Sequence, residues 1–465
     1  MNNKKVFVHP YIPNSAPNVE RAMLDEIGVK SAMELYDLIP QVLRFSRDLN
    51  LPGPIYSELE LRKYIKERLD KNVSCEDCLN FLGAGCWQHF VPAVCDEIIG
   101  RAEFLTAYCG DTYSDKGKYQ ALFEFQSMLG ELVGMEAVSC PTYDWSCAAG
   151  SAVMMAGRIT GKKEALVTGT IAPERLSQMR NFCKKTMKIT LIDFDKITGL
   201  MDLDDLERKL SEDTACVYFE NPGFLGTLET GSQEICCMIR KKGGISIVGV
   251  DAVSLGVLEA PAHYGADIVV GDAQCLGNHM QGGGGVIGFI ATRDEDRYCG
   301  EYPTRLYSIA PGAGGHTFGF GQCTHERTSY VMRESSPDFI GTSKWLSAIA
   351  SSVYLALMGP EGMRELGETI MKRRAYAEKE LAQIPGVKAP GLTGPRFKEF
   401  VANFDETGKT VEEINKSLLK RGIFGGYDLS RPWPSLGQSA LYCITELHGK
   451  EEIQRLAEAL KEAVK

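Results

Sequence analysis

Three polar residues stand where apolar runs give way to turns, which is where ligands bind in sheets flanked by helices. Asp251 ends the run "ISIVGVD", and Asn221 follows the run "ACVYFE". Ser146 lies in "YDWSCAAG", which is typical of a helix N-terminus. In α/β proteins, ligands sit at the carboxyl ends of the strands. We therefore take these side chains as candidates for contact with a ligand.

The chemistry of these residues fits a phosphorylated heteroaromatic ring. A carboxylate at Asp251 suits a protonated ring nitrogen, and the Asn221 amide suits a ring oxygen. Ser146 and the first N–H groups of a helix suit a phosphate. In chain order the set predicts a fold like that of enzymes that use pyridoxal phosphate (PLP). Simpler alternatives stay open, because a strand-end aspartate often caps a helix and Asn-Pro often makes a turn.

The lysine that this chemistry requires is missing from the expected place. A lysine amine must hold PLP as a Schiff base, and it should follow the strand after that of Asp251. The segment there, "ADIVVGDAQCLGNHMQ", has a cysteine, and no lysine occurs from Gly243 to Ser343. Lys344 opens a later helix. We predict that the chain holds no PLP covalently and that its PLP-like positions are degenerate: Ser146, Asn221, Asp251 and Cys275.

The elements around these positions predict an α/β fold in three parts. Residues 1–77 show helical spacing of apolar residues and predict an N-terminal helical arm, with Ser57 as a helix N-cap. Residues 78–338 alternate apolar runs with helical stretches, which predicts a large domain with a parallel sheet covered on both faces. Residues 339–465 predict a small C-terminal α+β domain, with a helix that Thr410 and Glu413 open as a capping box.

Composition excludes several classes of protein. The chain has 465 residues and a net charge of -10, and its basic residues are scattered, so we expect no nucleic-acid partner. It has no apolar run of about 18 residues and no signal-peptide pattern, so we expect a cytoplasmic protein that spans no membrane. The pair "CEDC" (Cys75, Cys78) is a lone CxxC without a second ligand pair, so no metal site is predicted.

Long segments of the chain resemble a known family, the first (α, or N-terminal) subunit of glycine dehydrogenase (decarboxylating), the P-protein of the glycine cleavage system. The resemblance covers nearly the whole chain. It is carried by "YIPNSAPNVERAMLDEIGVKSAMELYDLIP", "FLGAGCWQHFVPAV", "YQALFEFQSMLGELVGMEA", "ENPGFLGTLE", "PAHYGADIVVGDAQCLG" and "KRGIFGGYDLS".

The resemblance implies a type I (aminotransferase-like) PLP-dependent transferase fold and accounts for the missing lysine. In the family's two-subunit form, a second (β) subunit carries the lysine and the PLP, and an α2β2 assembly is implied. The assembly decarboxylates glycine and passes the aminomethylene group to the lipoyl arm of the H-protein. By resemblance, this chain is a component of that oxidoreductase, supports the PLP-bearing subunit and is not catalytic alone.

Two departures from the family's wording lie near the expected site. The loop "TAYCGDTYSDKGK" differs from the usual proline-rich segment, and we take Tyr108, Asp111, Thr112 and Tyr113 as candidates that face a ligand or the partner. Trp145 replaces a glycine. These changes leave two alternatives open: a diverged paralogue that pairs with another PLP subunit to process a different small amine or amino acid, or a non-catalytic binding protein on a degenerate PLP fold.

Overall fold

The computed structural model describes residues 8–9, 11–12, 15–45, 47, 49–105, 117–281, 287–323, 338–341 and 343–465. The chain divides into two compact units, residues 1–72 and 73–465. Within the described ranges, no helix combines the length and the apolar character that a membrane span requires.

The first unit is a helical arm. Helix α1 (Pro17–Ile27) begins with proline and ends at Gly28, whose φ of 83° is the left-handed conformation that glycine adopts most easily. Two 3-10 segments follow, Ala32–Leu38 and Gln41–Leu43. Helix α2 (Glu58–Leu69) has the predicted N-cap, because the Ser57 hydroxyl accepts a hydrogen bond from the Glu60 N–H. The arm buries little of its apolar surface.

The second unit is built on a seven-stranded sheet. Its helices are, in chain order, α3 (Ala93–Ile99), α4 (Ala102–Leu105), α5 (Tyr119–Val133), α6 (Trp145–Thr160), α7 (Pro173–Cys183), α8 (Leu203–Lys209), α9 (Ser232–Lys241), α10 (Asp296–Cys299), α11 (Trp345–Leu381), α12 (Val411–Leu419) and α13 (Lys450–Ala463). Its strands are β1 (Leu79–Asn80), β2 (Ala137–Val138), β3 (Glu164–Thr168), β4 (Lys188–Ile192), β5 (Thr214–Glu220), β6 (Ile245–Asp251), β7 (Ile268–Asp272), β8 (Gly288–Thr292), β9 (Leu306–Pro311), β10 (Phe318–Cys323), β11 (Glu399–Asn403), β12 (Ile423–Phe424), β13 (Tyr427–Asp428) and β14 (Ser439–Cys443).

The sheet has the order β2-β8-β7-β6-β5-β3-β4. Strands β3 to β7 are parallel, as the apolar runs predicted. Every residue of β5, β6 and β7 is buried, because helices cover both faces. Strand β8 departs from the predicted parallel sheet and runs antiparallel to β7. A parallel return needs a crossover, usually a helix, whereas the described part of this connection, residues 273–281, contains a turn at 274–277 and no helix.

The C-terminal part has its own sheet and hydrophobic core. Strands β11, β14 and β13 form an antiparallel sheet, and α12 and α13 contribute to a second core that includes Phe400, Tyr442 and Leu456. The predicted capping box of Thr410 and Glu413 is present. Helix α11 is interrupted at Gly359 (φ 57°, ψ -178°), just before Pro360, which separates the two helices expected from the sequence. The boundary at residues 338 and 339 stays a prediction.

Candidate functional site

Parallel strands bring three buried carboxylates to one edge of the sheet. Glu220 ends β5, Asp251 ends β6 and Asp272 ends β7, and Asp251 is paired in register with Asp272. All three side chains belong to buried residues. Charges buried in this way must be paired or hydrogen-bonded, since an unpaired buried ion is costly. The partners of these carboxylates therefore define the site.

Asp251 pairs with a lysine from the C-terminal part of the chain. Lys398, directly before β11, places Nζ 2.7 Å from Asp251 Oδ2, and both residues are 2% exposed. The contact is a charge pair, because its angles do not meet the geometry of a hydrogen bond although the two atoms are close. The other oxygen, Oδ1, accepts a hydrogen bond from the Val253 N–H and caps the short helix 252–256. Both oxygens of the carboxylate that would face a ring nitrogen are therefore already engaged. One is paired with the Lys398 ammonium, and the other caps a short helix.

The Lys398 ammonium is held from several sides. Burial by itself would lower the pKa of Lys398, but the facing Asp251 raises it above its ordinary value, so the amine is charged. Nζ lies 3.5 Å from the centroid of the Trp87 ring, a cation–π contact. It also donates a hydrogen bond to His89 Nε2 at 3.2 Å. A protonated amine in these contacts is not a nucleophile.

His89 continues this chain of charges toward the surface. Because its Nε2 accepts from Lys398, its Nδ1 carries the proton and donates to Glu446 Oε2 at 2.8 Å. Burial opposes ionisation of Glu446, but His89 and the Phe90 N–H outweigh it and lower the pKa of that carboxyl to about 2. The network Asp251–Lys398–His89–Glu446 therefore sets one ammonium and one neutral imidazole between two carboxylates.

A second buried ion pair fills the neighbouring space. Arg175, on α7, donates two hydrogen bonds to Glu220, Nε to Oε1 at 2.6 Å and Nη2 to Oε2 at 2.8 Å. Its guanidinium lies 4.1 Å from the centroid of the Trp145 ring. Trp145 is 4% exposed, so the residue that replaces the family's glycine is packed in the interior of the site.

The N-terminus of α6, where a phosphate was expected, is occupied by carboxylates. Asp144 is the N-cap and accepts from the Cys147 N–H at 2.7 Å, and Asp272 accepts from the Trp145 N–H at 3.2 Å. Burial, together with the nearby Asp144, raises the pKa of Asp272 to about 6. Ser146 is half-buried in the first turn. Two carboxylates that use the N–H groups and add negative charge disfavour an anion here.

The other two PLP-like positions are used differently. The Asn221 amide closes its own loop: Nδ2 donates to Ser232 Oγ at 3.0 Å and Oδ1 accepts from the Glu229 N–H at 3.2 Å. Cys275 is buried with Sγ 3.9 Å from Asp251 Oδ1, and burial raises the pKa of its thiol. The structure therefore brings Asp251 and Cys275 together, whereas Asn221 faces the loop that follows it.

The residues at this site do not fit PLP. The cavity that they enclose measures about 10 Å³, and its walls include Trp87, Trp145, Arg175, Asp251 and Lys398. Such a volume holds about one water molecule. A ring and a phosphate would have to displace two indole rings and two buried ion pairs. The candidates Tyr108, Asp111, Thr112 and Tyr113 lie outside the described residues.

Sequence reasoning missed the two cations that fill the site. Arg175 and Lys398 lie on segments of the chain distant from the strand ends they meet. The only signal for Lys398 was a charged pair, Lys398-Glu399, at the start of an otherwise apolar strand. A buried strand carries such charges only where partners exist, so the pair itself indicated a polar site.

The sheet and the position of this altered site define a type I PLP-dependent fold. The sequence model of the family described as glycine cleavage system P-protein matches residues 9–460. The chain belongs to this family. It is similar to probable glycine dehydrogenase (decarboxylating) subunit 1 of Staphylothermus marinus, at 35% identity over 98% of each chain, and of Saccharolobus solfataricus, at 37% over 99% of each. These matches do not favour the alternative of a differently specialised paralogue.

Solved structures agree with the family. A glycine decarboxylase (P-protein) of the glycine cleavage system, in inhibitor-bound form, superposes with a TM-score of 0.85 at 31% identity and covers 98% of this chain and 100% of its own. A sphingosine-1-phosphate lyase of Burkholderia pseudomallei has a TM-score of 0.64 at 15% identity, covers 92% of this chain and 94% of its own, and shares the fold alone.

Removing the lysine of the central pair should destabilise the protein. In Lys398→Met, Asp251 becomes an unpaired buried charge, and we expect the free energy of unfolding to fall by about 3–5 kcal/mol. The double variant D251N/K398M should recover most of this loss, because no charge is then left alone. Urea unfolding measures both, with the exposed Lys372→Met as control. Equal loss in single and double variants would contradict the pairing.

Glu399 should make stability depend on pH. Burial raises its pKa from 4.5 to about 7, although the Ala84 N–H and Lys398 act against the shift. The folded state then binds the proton more tightly than the unfolded state. This contribution is therefore greatest below pH 4.5 and is lost as the pH rises through 7. A pKa shift of one unit corresponds to about 1.4 kcal/mol of stability, so the shift from 4.5 to about 7 corresponds to a loss of about 3 kcal/mol.

Glu399→Gln tests this dependence, because glutamine keeps the acceptor for the Ala84 N–H and has no proton to lose. Unfolding free energies measured between pH 4.5 and 8 should fall less with pH in this variant than in the unaltered protein. The exposed Glu406→Gln should leave the pH profile unchanged. Parallel profiles for Glu399→Gln and the unaltered protein would show that Glu399 does not titrate in this range.

Proposed function

We propose that this chain is the subunit of a glycine decarboxylase that carries no cofactor, and that it works with a second subunit that holds PLP. The observation that carries the proposal is the filled site, in which Lys398 neutralises the strand-end Asp251 and Trp145 occupies the adjacent interior. The relatives' name, subunit 1, supports a partner subunit. The assembly would decarboxylate glycine and transfer the aminomethylene group to the lipoyl arm of the H-protein.

The chain's own contribution in this proposal is to bind and support the partner. Its buried ion pairs keep the altered site folded without a cofactor, so the fold does not depend on PLP. The partner's active site would then supply all covalent chemistry on the amino acid. An α2β2 assembly, in which two copies of each subunit associate, is the arrangement we expect from the family resemblance.

The arm supplies a surface of the kind that a partner would cover. Leu38 and Val42 are 95% and 90% exposed, and Leu43 and Leu51 are 72% and 70% exposed. Single exposed apolar residues are ordinary, but a series of them along one short segment marks an interaction site. We propose that Leu38, Val42, Leu43 and Leu51 contact the PLP-bearing subunit.

Reconstitution of the two subunits tests which of them binds PLP. The purified chain, incubated with PLP, should show no aldimine absorbance at the site, whereas the pair with subunit 2 should show it and should exchange bicarbonate with the carboxyl group of glycine. The double variant D251N/K398M in the chain alone is the control, because it removes that amine without leaving Asp251 as an unpaired buried charge, and it should not change the spectrum. An aldimine in the chain alone, whether or not it disappears in this variant, would overturn the proposal.

The arm can be tested by substitution. Leu38→Ser combined with Val42→Ser should weaken association with subunit 2 about tenfold or more, since fully burying a leucine or valine side chain contributes about 1.5–3 kcal/mol. Sedimentation of the mixed subunits measures the association. Ile197→Ser, at a 68% exposed position of the second unit, is the matched control. Unchanged association of the double variant would exclude Leu38 and Val42 from the interface.

A further inference from the structure

A cleft of about 840 Å³ lies beside the filled site. The segment 83–89 separates the two, with Gly85 and Trp87 lining the filled site and Cys86 and Gln88 lining the cleft. The cleft has the size of a small-molecule site. Its walls combine amides, thiols and apolar groups, among them Asn80, Gln274, Asn278, Cys75, Cys86 and Tyr427.

The CxxC pair lies at the edge of this cleft, on a single tight turn. The N–H groups of Asp77 and Cys78 both donate to the Ser74 carbonyl at 3.1 Å. The Asp77 carboxylate accepts from the Ser74 N–H and hydroxyl, which holds the turn closed. Residues three apart on such a helical turn have Cβ atoms about 5–6 Å apart. A disulfide needs about 4 Å, so a small rotation of a surface turn brings the two sulfurs into bonding distance.

Both thiols are free and within reach of solvent. Cys75 and Cys78 are half-buried, and Cys75 lines the cleft. Burial raises the pKa of Cys75, and the neighbouring Cys78 thiol acts in the same direction. Among the described residues no group of three potential ligands is placed to hold a metal ion.

We propose that Cys75 and Cys78 form a reversible disulfide by exchange with a small organic disulfide that enters the cleft. The Cys75 thiolate attacks one sulfur, a mixed disulfide forms, and the first small thiolate leaves with the electron pair of the broken S–S bond. The Cys78 thiolate then attacks Cys75 Sγ and releases the second small thiolate. The two protons of the cysteines end on the two small thiols, so the pair is oxidised as the small disulfide is reduced.

The exchange changes the wall of the cleft. In the reduced protein Cys75 and Asn80 line the same cleft, and the Asn80 side chain accepts from the Leu82 N–H through Oδ1 and donates to Gln88 through Nδ2. A bond to Cys78 would reposition Cys75 in the wall that it shares with the segment 80–88. Because its raised pKa keeps the Cys75 thiolate scarce at neutral pH, exchange should accelerate as the pH rises.

Peptide mapping of the full chain tests the proposal directly. The protein is equilibrated with mixtures of reduced and oxidised glutathione, free thiols are blocked with N-ethylmaleimide, and the chain is cut after glutamate. Cleavage after Glu76 separates Cys75 from Cys78, so the two peptides stay joined only through a disulfide. We expect joined peptides in oxidising mixtures and separate peptides in reducing ones, with faster conversion at higher pH.

Two variants identify the bond. Cys78→Ser should abolish the joined peptides and leave Cys75 as a glutathione adduct, whereas Cys86→Ser, which alters another thiol of the same cleft, should leave them unchanged. Joined peptides that persist in Cys78→Ser would assign the bond to another cysteine. Peptides that stay separate in the unaltered protein at every glutathione ratio would overturn the proposal without affecting the proposed function.

Discussion

The buried ion pair of Asp251 and Lys398 is the interaction on which the site depends. A carboxylate at the end of a central parallel strand cannot be left uncompensated, because the interior offers no water to solvate it. In this chain the compensation comes from the protein itself. Once the ammonium occupies that place, Trp87 packs against it and His89 accepts its hydrogen bond. The contacts of Trp87 and His89 therefore depend on Lys398 being the counter-ion of Asp251.

The same principle extends to the other strand ends. Glu220 is neutralised by Arg175, and Asp272 accepts the Trp145 N–H at the start of α6 and the N–H groups of Gln274 and Ile287. Each buried acidic group is thus matched by a cation or by backbone donors. Buried pairs of this kind add little net stability compared with apolar packing, but they are costly to break. A charged ligand at these strand ends would therefore have to displace a partner that one of the three carboxylates already has.

Much of the fold was predictable because burial leaves a local pattern in the sequence. The apolar runs at β3 to β7 gave the sheet, and the caps at Ser57 and Thr410 gave helix starts. The direction of β8 was not predictable, since an apolar run has the same appearance in a parallel and an antiparallel neighbour. The direction depends on whether a crossover helix lies between the two strands. The described part of this connection, residues 273–281, has a turn at 274–277 where such a helix would begin.

The site was predictable only in part, because its decisive contacts join distant segments. The missing lysine and the large residue at Trp145 could be found in the sequence, and both indicated a degenerate site. The partners of Asp251 and Glu220 could not, since nothing local to Lys398 or Arg175 specifies what they meet. Asn221 was ambiguous for a different reason: an amide after a strand can serve a ligand or its own turn, and only the fold of residues 221–232 decides.

Lys398 also has a mechanical role. It lies at the start of β11, beside the second hydrophobic core, whereas Asp251 ends a strand of the first. The ion pair therefore joins two hydrophobic cores within one compact unit. A motion that moved the two cores apart would have to separate the ammonium from the carboxylate in a water-poor interior, which is costly. The pair thus resists relative motion of the two cores.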